Sequence, residues 1–249
     1  MAAAYDKYDY PSYWIGRDYE HESESVAIKK LLEKVPVART TLEIGAGFGR
    51  LTPIYSYRAK KMILTDPSAR LLKIARDAID FKNVSFIQTG YEKINEKVRS
   101  GTIDLVFMIR VIHHVTDYKA CLTNISRLLK SNGFMILEFP NRVHFKSNLK
   151  EILKGNFTYP YEIFPKDISK KSRKKKIPFI NYHPDDIIKT IEESGFEVVE
   201  KRSVSNFRSL FLKKIFPTPA LVWLEDILQK PLANINFGPS IFLLVQKKG

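Results

Sequence analysis

The sequence predicts an α/β fold: one mostly parallel sheet with helices on both faces. Three observations carry this. Short apolar runs recur, such as Ile103-Asp104-Leu105-Val106-Phe107-Met108-Ile109, and suit strands buried on both sides. Segments with helical apolar spacing alternate with these runs, and strict βα alternation demands parallel strands. The first such strand runs into Gly45-Ala46-Gly47-Phe48-Gly49, where glycines at alternate positions allow a tight turn before a helix.

Composition bounds the rest. The 249 residues are 44% hydrophobic and 27% charged, enough for one large core. One domain over 1–249 is expected, with an aromatic-rich arm at 1–21, a basic insertion at 142–182 and a helical insertion at 206–238. The single Cys121 excludes an intramolecular disulfide, and without a CxxC pair no structural zinc is expected. Residues 1–6 lack the basic-then-apolar pattern of a signal peptide, and the longest apolar run, Ile241 to Val245, reads as a strand. A cytoplasmic location, peripheral at most to a membrane, is the expectation. The formal net charge of +14 favours anionic partners: nucleic acid, acidic lipid or a phosphorylated substrate.

In chain order, Tyr5 to Tyr19 is an irregular arm, either packed on the domain surface or closing as a lid over a ligand. Glu22 to Val35 has helical spacing, with Ser23 or Ser25 as cap and Pro36 as stop. Thr41 to Ile44 is the first strand, and Leu51 to Ala59 the first crossover helix. Lys61 to Asp66 is the second strand, followed by a helix over Ala69 to Ile79 behind Pro67-Ser68. Val84 to Gln88 and Ile103 to Ile109 are strands three and four. A loop through His113 and His114 leads to a helix over Asp117 to Leu129. Ser131-Asn132-Gly133 is a turn before the fifth strand, Phe134 to Phe139.

Regularity then lapses between Arg142 and Tyr182, apart from a short helix at Lys146 to Leu153 and the Lys170 to Lys176 charge run. Long connections of this kind are usually functional or disordered. A helix over Pro184 to Ser194, a strand over Phe196 to Val204, a helical stretch from Asn206 to Ile235 and a strand over Ile241 to Gln246 complete the chain. The last two strands read as an antiparallel hairpin closing one sheet edge.

The glycine turn admits two nucleotide readings. A dinucleotide site wants G-x-G-x-x-G, but Arg50 stands at the third glycine position. With Glu43 just ahead of Gly45, the stretch resembles motif I of class I S-adenosylmethionine (SAM)-dependent methyltransferases, in particular the small-molecule and quinone methylases. Thr65-Asp66-Pro67-Ser68, Ile103 to Val115 ending in His-His-Val, Gly133 to Glu138 and Ser194 to Val199 resemble further motifs of that family at matching spacing. The resemblance implies a Rossmann-like seven-stranded sheet with an antiparallel last strand, lid-like insertions, and SAM as cofactor. It also implies roles: Gly45, Ala46, Gly47 and Gly49 along the methionine and ribose, Glu43 orienting that loop or meeting the SAM ammonium, and Asp66 on the ribose hydroxyls. Pro67 would lie beside the adenine, and Arg110 would bring main chain near the sulfonium. Where the family usually carries an aspartate near the adenine amino group, this chain has Gly90, so contact there would come from the Tyr91 backbone or ring. Asp66 also has a plainer reading, as helix N-cap.

Methyl transfer is an in-line displacement that depends on holding donor and acceptor in attack geometry. A hydroxyl acceptor needs a base, and His113 and His114 follow strand four where the substrate would lie. Their plainer role is packing against the next helix. His21, His144 and His183 are scattered and lack metal-ligand spacing, so no metal is expected. A small-molecule or lipid-like acceptor taking the methyl on O, N or C is the expected substrate. Lys170 to Lys176 is either a solvated loop or a contact with an anionic membrane surface. Nucleic acid ranks lower, since no aromatics interleave the run and no N-P-P-Y-type motif follows strand four. The alternatives are an RNA methyltransferase using the basic insertion, and a SAM-binding protein without catalysis.

Overall fold

A computed structural model describes Asp6 and residues 9–169 and 178–249. Its strands are β1 (Ala38–Ile44), β2 (Ala59–Asp66), β3 (Val84–Gln88), β4 (Ile103–Met108), β5 (Leu129–Pro140), β6 (Lys166–Asp167), β7 (Ile180–Asn181), β8 (Phe196–Val204) and β9 (Ser240–Lys247). Seven of them form one sheet in the order β3-β2-β1-β4-β5-β9-β8, while β6 and β7 make a separate antiparallel ribbon. Pairing from β3 through β5 is parallel, and β9 runs antiparallel to both β5 and β8. The expected terminal hairpin is therefore present, but the last strand is inserted and β8 is the edge. Chain order reverses between β1 and β4, so the crevice for a ligand opens at their carboxyl ends.

Helices α1 (Asp18–Leu32), α2 (Thr52–Tyr55), α3 (Ala69–Ala78), α4 (Ile94–Lys97), α5 (Tyr118–Leu128), α6 (Phe145–Ile152), α7 (Pro184–Glu193), α8 (Leu210–Ile215) and α9 (Thr218–Ala233) complete the layers. Strand alternation sets two cores. Leu42, Val106 and Met135 join Leu122 and Ile125 of α5 and Ile187 of α7 on one face. Leu64, Phe107 and Ile136 join Ile28 and Leu31 of α1 on the other.

The structure corrects several sequence expectations. The first helix begins at Asp18 rather than Glu22, and neither Ser23 nor Ser25 caps it. Both lie inside it, donating to the Tyr19 and His21 carbonyls at 2.7 and 2.8 Å, as helical serines do. The first crossover shrinks to α2 and a 3-10 turn at Ser56–Arg58, because β2 already begins at Ala59. Ser68, not Asp66, caps α3, its hydroxyl accepting from Leu71 N at 3.2 Å. The Ser131-Asn132-Gly133 turn becomes a bulge within β5: Ile103 pairs with Leu129 and Leu105 with Phe134, while Asn132 takes φ 60°. The helical stretch after Asn206 splits at Phe216-Pro217 into α8 and α9. Within the helical insertion, α9 packs on α1 and β8 through Leu221, Glu225 and Gln229. The Lys170 to Lys176 run lies outside the described residues.

Candidate active site

β1 delivers the glycine turn to the crevice. Gly45, Gly47 and Gly49 adopt φ of 74°, 56° and 77°, where a Cβ would be strained. At Gly45 a Cβ would also stand 2.2 Å from Val111 Cγ2, so glycine lets the loop after β4 pack directly on the turn. At Gly47 the nearest atoms among the described residues belong to the Tyr10 ring of the N-terminal arm, 3.8 Å from where a Cβ would stand. The Gly45 and Ala46 amides donate to the Thr65 carbonyl at 2.8 and 2.9 Å, locking the turn to the end of β2.

Asp66 closes that end. Its two carboxylate oxygens accept from Gly47 N at 2.9 Å and Ser68 N at 2.8 Å, with Pro67 between. Burial pushes its carboxyl up to about 6; the Ser68 and Gly47 amides oppose the rise, and Asp6 adds to it. Glu43 is buried as well, its Oε2 accepting from Thr52 Oγ1 at 2.8 Å and from the Tyr55 hydroxyl. Burial pushes Glu43 up to about 7 against the bonds from Tyr55 and Thr52. Glu43 thus anchors α2 to the turn it precedes.

Past β3, Thr89 N donates to the Asp66 carbonyl at 3.1 Å, bringing Gly90 beside the same end of the sheet. The Tyr91 ring packs against the core and its hydroxyl faces Thr116.

Beyond β4, Arg110 takes φ 60° and donates its amide to Glu138 Oε2 at 2.8 Å. Its guanidinium bonds Glu24 Oε1 at 2.7 and 2.6 Å, and Arg50 bonds the other oxygen at 2.5 Å. Trp14 lies against both guanidinium groups, 3.3 Å from Arg50 and 4.7 Å from Arg110 to its ring centroid. Burial alone would push the Glu24 carboxyl up, but Arg110 and Arg50 outweigh it and hold it low.

His113 follows, buried, with its ring 4.0 Å from His114 and 4.4 Å from Phe179. Burial, then His114 and Arg110, lower its pKa well below the ordinary histidine range, so the ring is neutral. Its Nδ1 is buried and has no hydrogen-bond partner among the described residues. Asn181 Oδ1, on the ribbon strand β7 that contacts the same turn, is likewise buried without one. By contrast His114 Nδ1 sits 2.6 Å from the Pro178 carbonyl, which places its proton there. The Tyr182 hydroxyl fixes the turn by donating to the Ile112 carbonyl at 3.1 Å.

The structure thus gathers Glu43, Gly45, Ala46, Gly47, Gly49, Asp66 and Pro67 at one end of the crevice, Gly90 and Tyr91 beside them, and Arg110, His113 and His114 across from Gly45. Sequence reasoning missed Glu24 as the hub joining Arg50 to Arg110. It also missed the arm contacts: Tyr10 against Gly47 and Phe48, and Asp6 accepting from Ser68 Oγ at 2.6 Å. The aromatic density of the arm was the available signal.

Sheet order, glycine turn and the acid ending β2 define a nucleoside-cofactor site of the class I methyltransferase type. Residues 42–137 match the family model described as a methyltransferase domain. A tRNA 5-carboxymethoxyuridine methyltransferase of Escherichia coli (strain K12) is 25% identical over 188 residues, 74% of this chain and 69% of the relative. A ubiquinone biosynthesis O-methyltransferase of Rhodopseudomonas palustris is 33% identical over 103 residues, 41% of this chain and 40% of the relative. Among solved folds, a Burkholderia thailandensis 1,6-didemethyltoxoflavin-N1-methyltransferase bound to S-adenosylhomocysteine superposes with TM-score 0.57 at 13% identity, covering 96% of this chain and 83% of that one. Residues 42–137 carry a SAM-dependent methyltransferase domain, with SAM as the methyl donor. The cradle fits that donor: a buried carboxylate with lone pairs left over from two amide bonds ends β2, and among the described residues a Cβ at Gly47 would meet only Tyr10 within 4 Å.

Proposed function

We propose that the enzyme methylates an oxygen atom of a small or lipophilic acceptor bound against His113. Bound SAM supplies an electrophilic methyl group on its sulfonium. Gly45, Ala46, Gly47 and Gly49 hold its methionine and ribose portions, with Glu43 fixing the turn, and Asp66 accepts from the ribose hydroxyls. Pro67 and the Gly90 and Tyr91 main chain line the adenine end. The Arg110 main chain approaches the sulfonium, its position set by Glu138 and Glu24. A neutral His113 accepts the hydrogen bond, then the proton, of the acceptor hydroxyl as the methyl moves. His114, pinned to the Pro178 carbonyl, positions its neighbour and the Phe179 ring.

The observation that carries this reading is the buried, partnerless His113 Nδ1 two residues beyond Val111, which packs on the glycine turn. A buried polar atom costs stability unless something bonds it, and an acceptor hydroxyl supplies that bond. The test measures S-adenosylhomocysteine release across a panel of phenols and alkyl carboxylic acids. His113→Ala should lower turnover by about 10²–10⁴-fold, the usual contribution of a general base, while SAM affinity stays within about threefold. Undiminished turnover in that variant would sink the assignment.

A second reading is favoured by the +14 charge and by the tRNA-modifying relative, whose similarity spans 74% of the chain: methyl transfer to RNA. Labelled methyl entering bulk tRNA, with none of the small acceptors used, would select it.

A further inference from the structure

We infer that α8 and α6 form a docking face for an anionic lipid bilayer beside the acceptor end of the crevice. Helix α8 buries none of its residues, and Leu210 and Phe211 are 80% and 68% exposed. It is nevertheless held firmly: Lys213 Nζ bonds both carboxylate oxygens of Glu20 at 2.8 and 2.6 Å. An apolar helix anchored through its lysine and turned outward gains nothing from the protein's own core. Helix α6 repeats the pattern, with no buried residue, and with Phe145, Leu149 and Leu153 exposed among lysines.

The two helices belong to one surface. Phe145 N donates to the Phe237 carbonyl at 3.0 Å and the two rings stack at 5.0 Å. Gly238 next door lies so close to Asn206 that a Cβ would stand 2.6 Å from its Oδ1. Arg208, leading into α8, is near enough to act on the His144 ring that caps α6. α6, the 237–238 turn and the start of α8 are therefore contiguous, and they continue from the carboxyl ends of β5 and β8.

Charge selects the occupant. From Asn206 to Leu224 the sequence holds no acid, and Arg208 and Lys214 add positive charge beside Lys213, which is paired with Glu20. Exposed apolar side chains interleaved with cations match the interfacial mode of membrane binding, where the apolar side enters the acyl boundary and the basic residues meet anionic headgroups. Single-stranded nucleic acid would want aromatic platforms for its bases. Phe145 and Phe211 are exposed here, but they stand among aliphatic Leu149, Leu153, Leu210 and Ile215, which cannot stack on bases and gain only by leaving water. No described helix is long and apolar enough to cross a membrane, so the contact is on the surface. This face is independent of the acceptor assigned above, but it would place the crevice beside lipid.

The test is co-sedimentation of the full chain with phosphatidylcholine vesicles, with or without phosphatidylglycerol, at physiological ionic strength. Binding to the anionic vesicles is expected, weakened roughly tenfold or more in a Leu210→Ser, Phe211→Ser double variant whose SAM affinity is unchanged. As a check that does not remove apolar area, Phe211→Trp should shift its emission to the blue on adding anionic vesicles. No vesicle binding, binding indifferent to the double substitution, or an unshifted Trp emission would overturn the proposal. So would a double variant that weakens binding of bulk tRNA instead of vesicles. Because no arm needs turnover, a failure here leaves the role of His113 standing, and the reverse holds too.

Discussion

The two banks of the crevice are built to different standards. On the β1–β2 bank the polar groups are committed: Asp66 takes two amides, Glu43 two hydroxyls, and Thr65 two amides of the turn. On the bank beyond β4 and β5, His113 Nδ1 and Asn181 Oδ1 are buried with no partner among the described residues. A network that is complete without ligand is preorganised, so its contacts cost little to recruit. A bank with orphaned atoms is complete only when something else supplies them. The difference suits the proposed division: a first bank for one constant ligand, the donor, and a second for a ligand that brings its own hydrogen bonds.

The sharpest way to break this comparison is His113→Ala, which should affect turnover alone. Parallel titration of SAM separates the banks, since a loss of SAM binding in this variant would merge them. Gly45→Ala should do the reverse. The left-handed backbone costs about 1–2 kcal/mol for any L side chain, and displacing Val111 adds about 1–3 kcal/mol. A fall in urea midpoint with loss of SAM binding is expected; an unchanged midpoint would mean that the turn is not tight.

Tyr19→Phe probes ground outside both banks. The Tyr19 hydroxyl donates to the buried Glu225 and accepts from Phe207 N at 2.8 Å, clamping α1 to α9. Its loss should cost about 1–2 kcal/mol in denaturant unfolding and leave the SAM affinity unmoved. The smallest expected effect is in pH. Asp66 titrates at about 6, so its ionised form, the better acceptor for ribose hydroxyls, is full above that pH and lost below it. SAM affinity should therefore fall as pH drops through about 6, by roughly tenfold per unit at most, and Asp66→Asn should flatten that slope.

Much of the donor bank was legible in the sequence because its parts are local. Apolar runs marked the strands, alternate glycines the turn, and an acid before Pro67 the end of β2. The acceptor bank was less so. Glu24, Arg50 and Arg110 meet across 26 and 86 residues of chain, and no pattern in a single sequence reports such a pairing. Helix boundaries slipped where tertiary contacts override local signals. Ser23 and Ser25 resembled caps, but the arm's packing against Arg50 through Trp14 carries the helix back to Asp18. The reduction of the first crossover to α2 is explained by Glu43, whose bonds to Thr52 and Tyr55 fix that single turn before β2 begins.

The account rests most heavily on Asp66 as the residue that meets the donor's ribose. Calorimetric titration of SAM into wild-type and Asp66→Ala protein tests this without any acceptor. The predicted result is a loss of about 1–3 kcal/mol in binding, roughly 5- to 150-fold in affinity, with the fold intact. Equal affinity in the two proteins would contradict it.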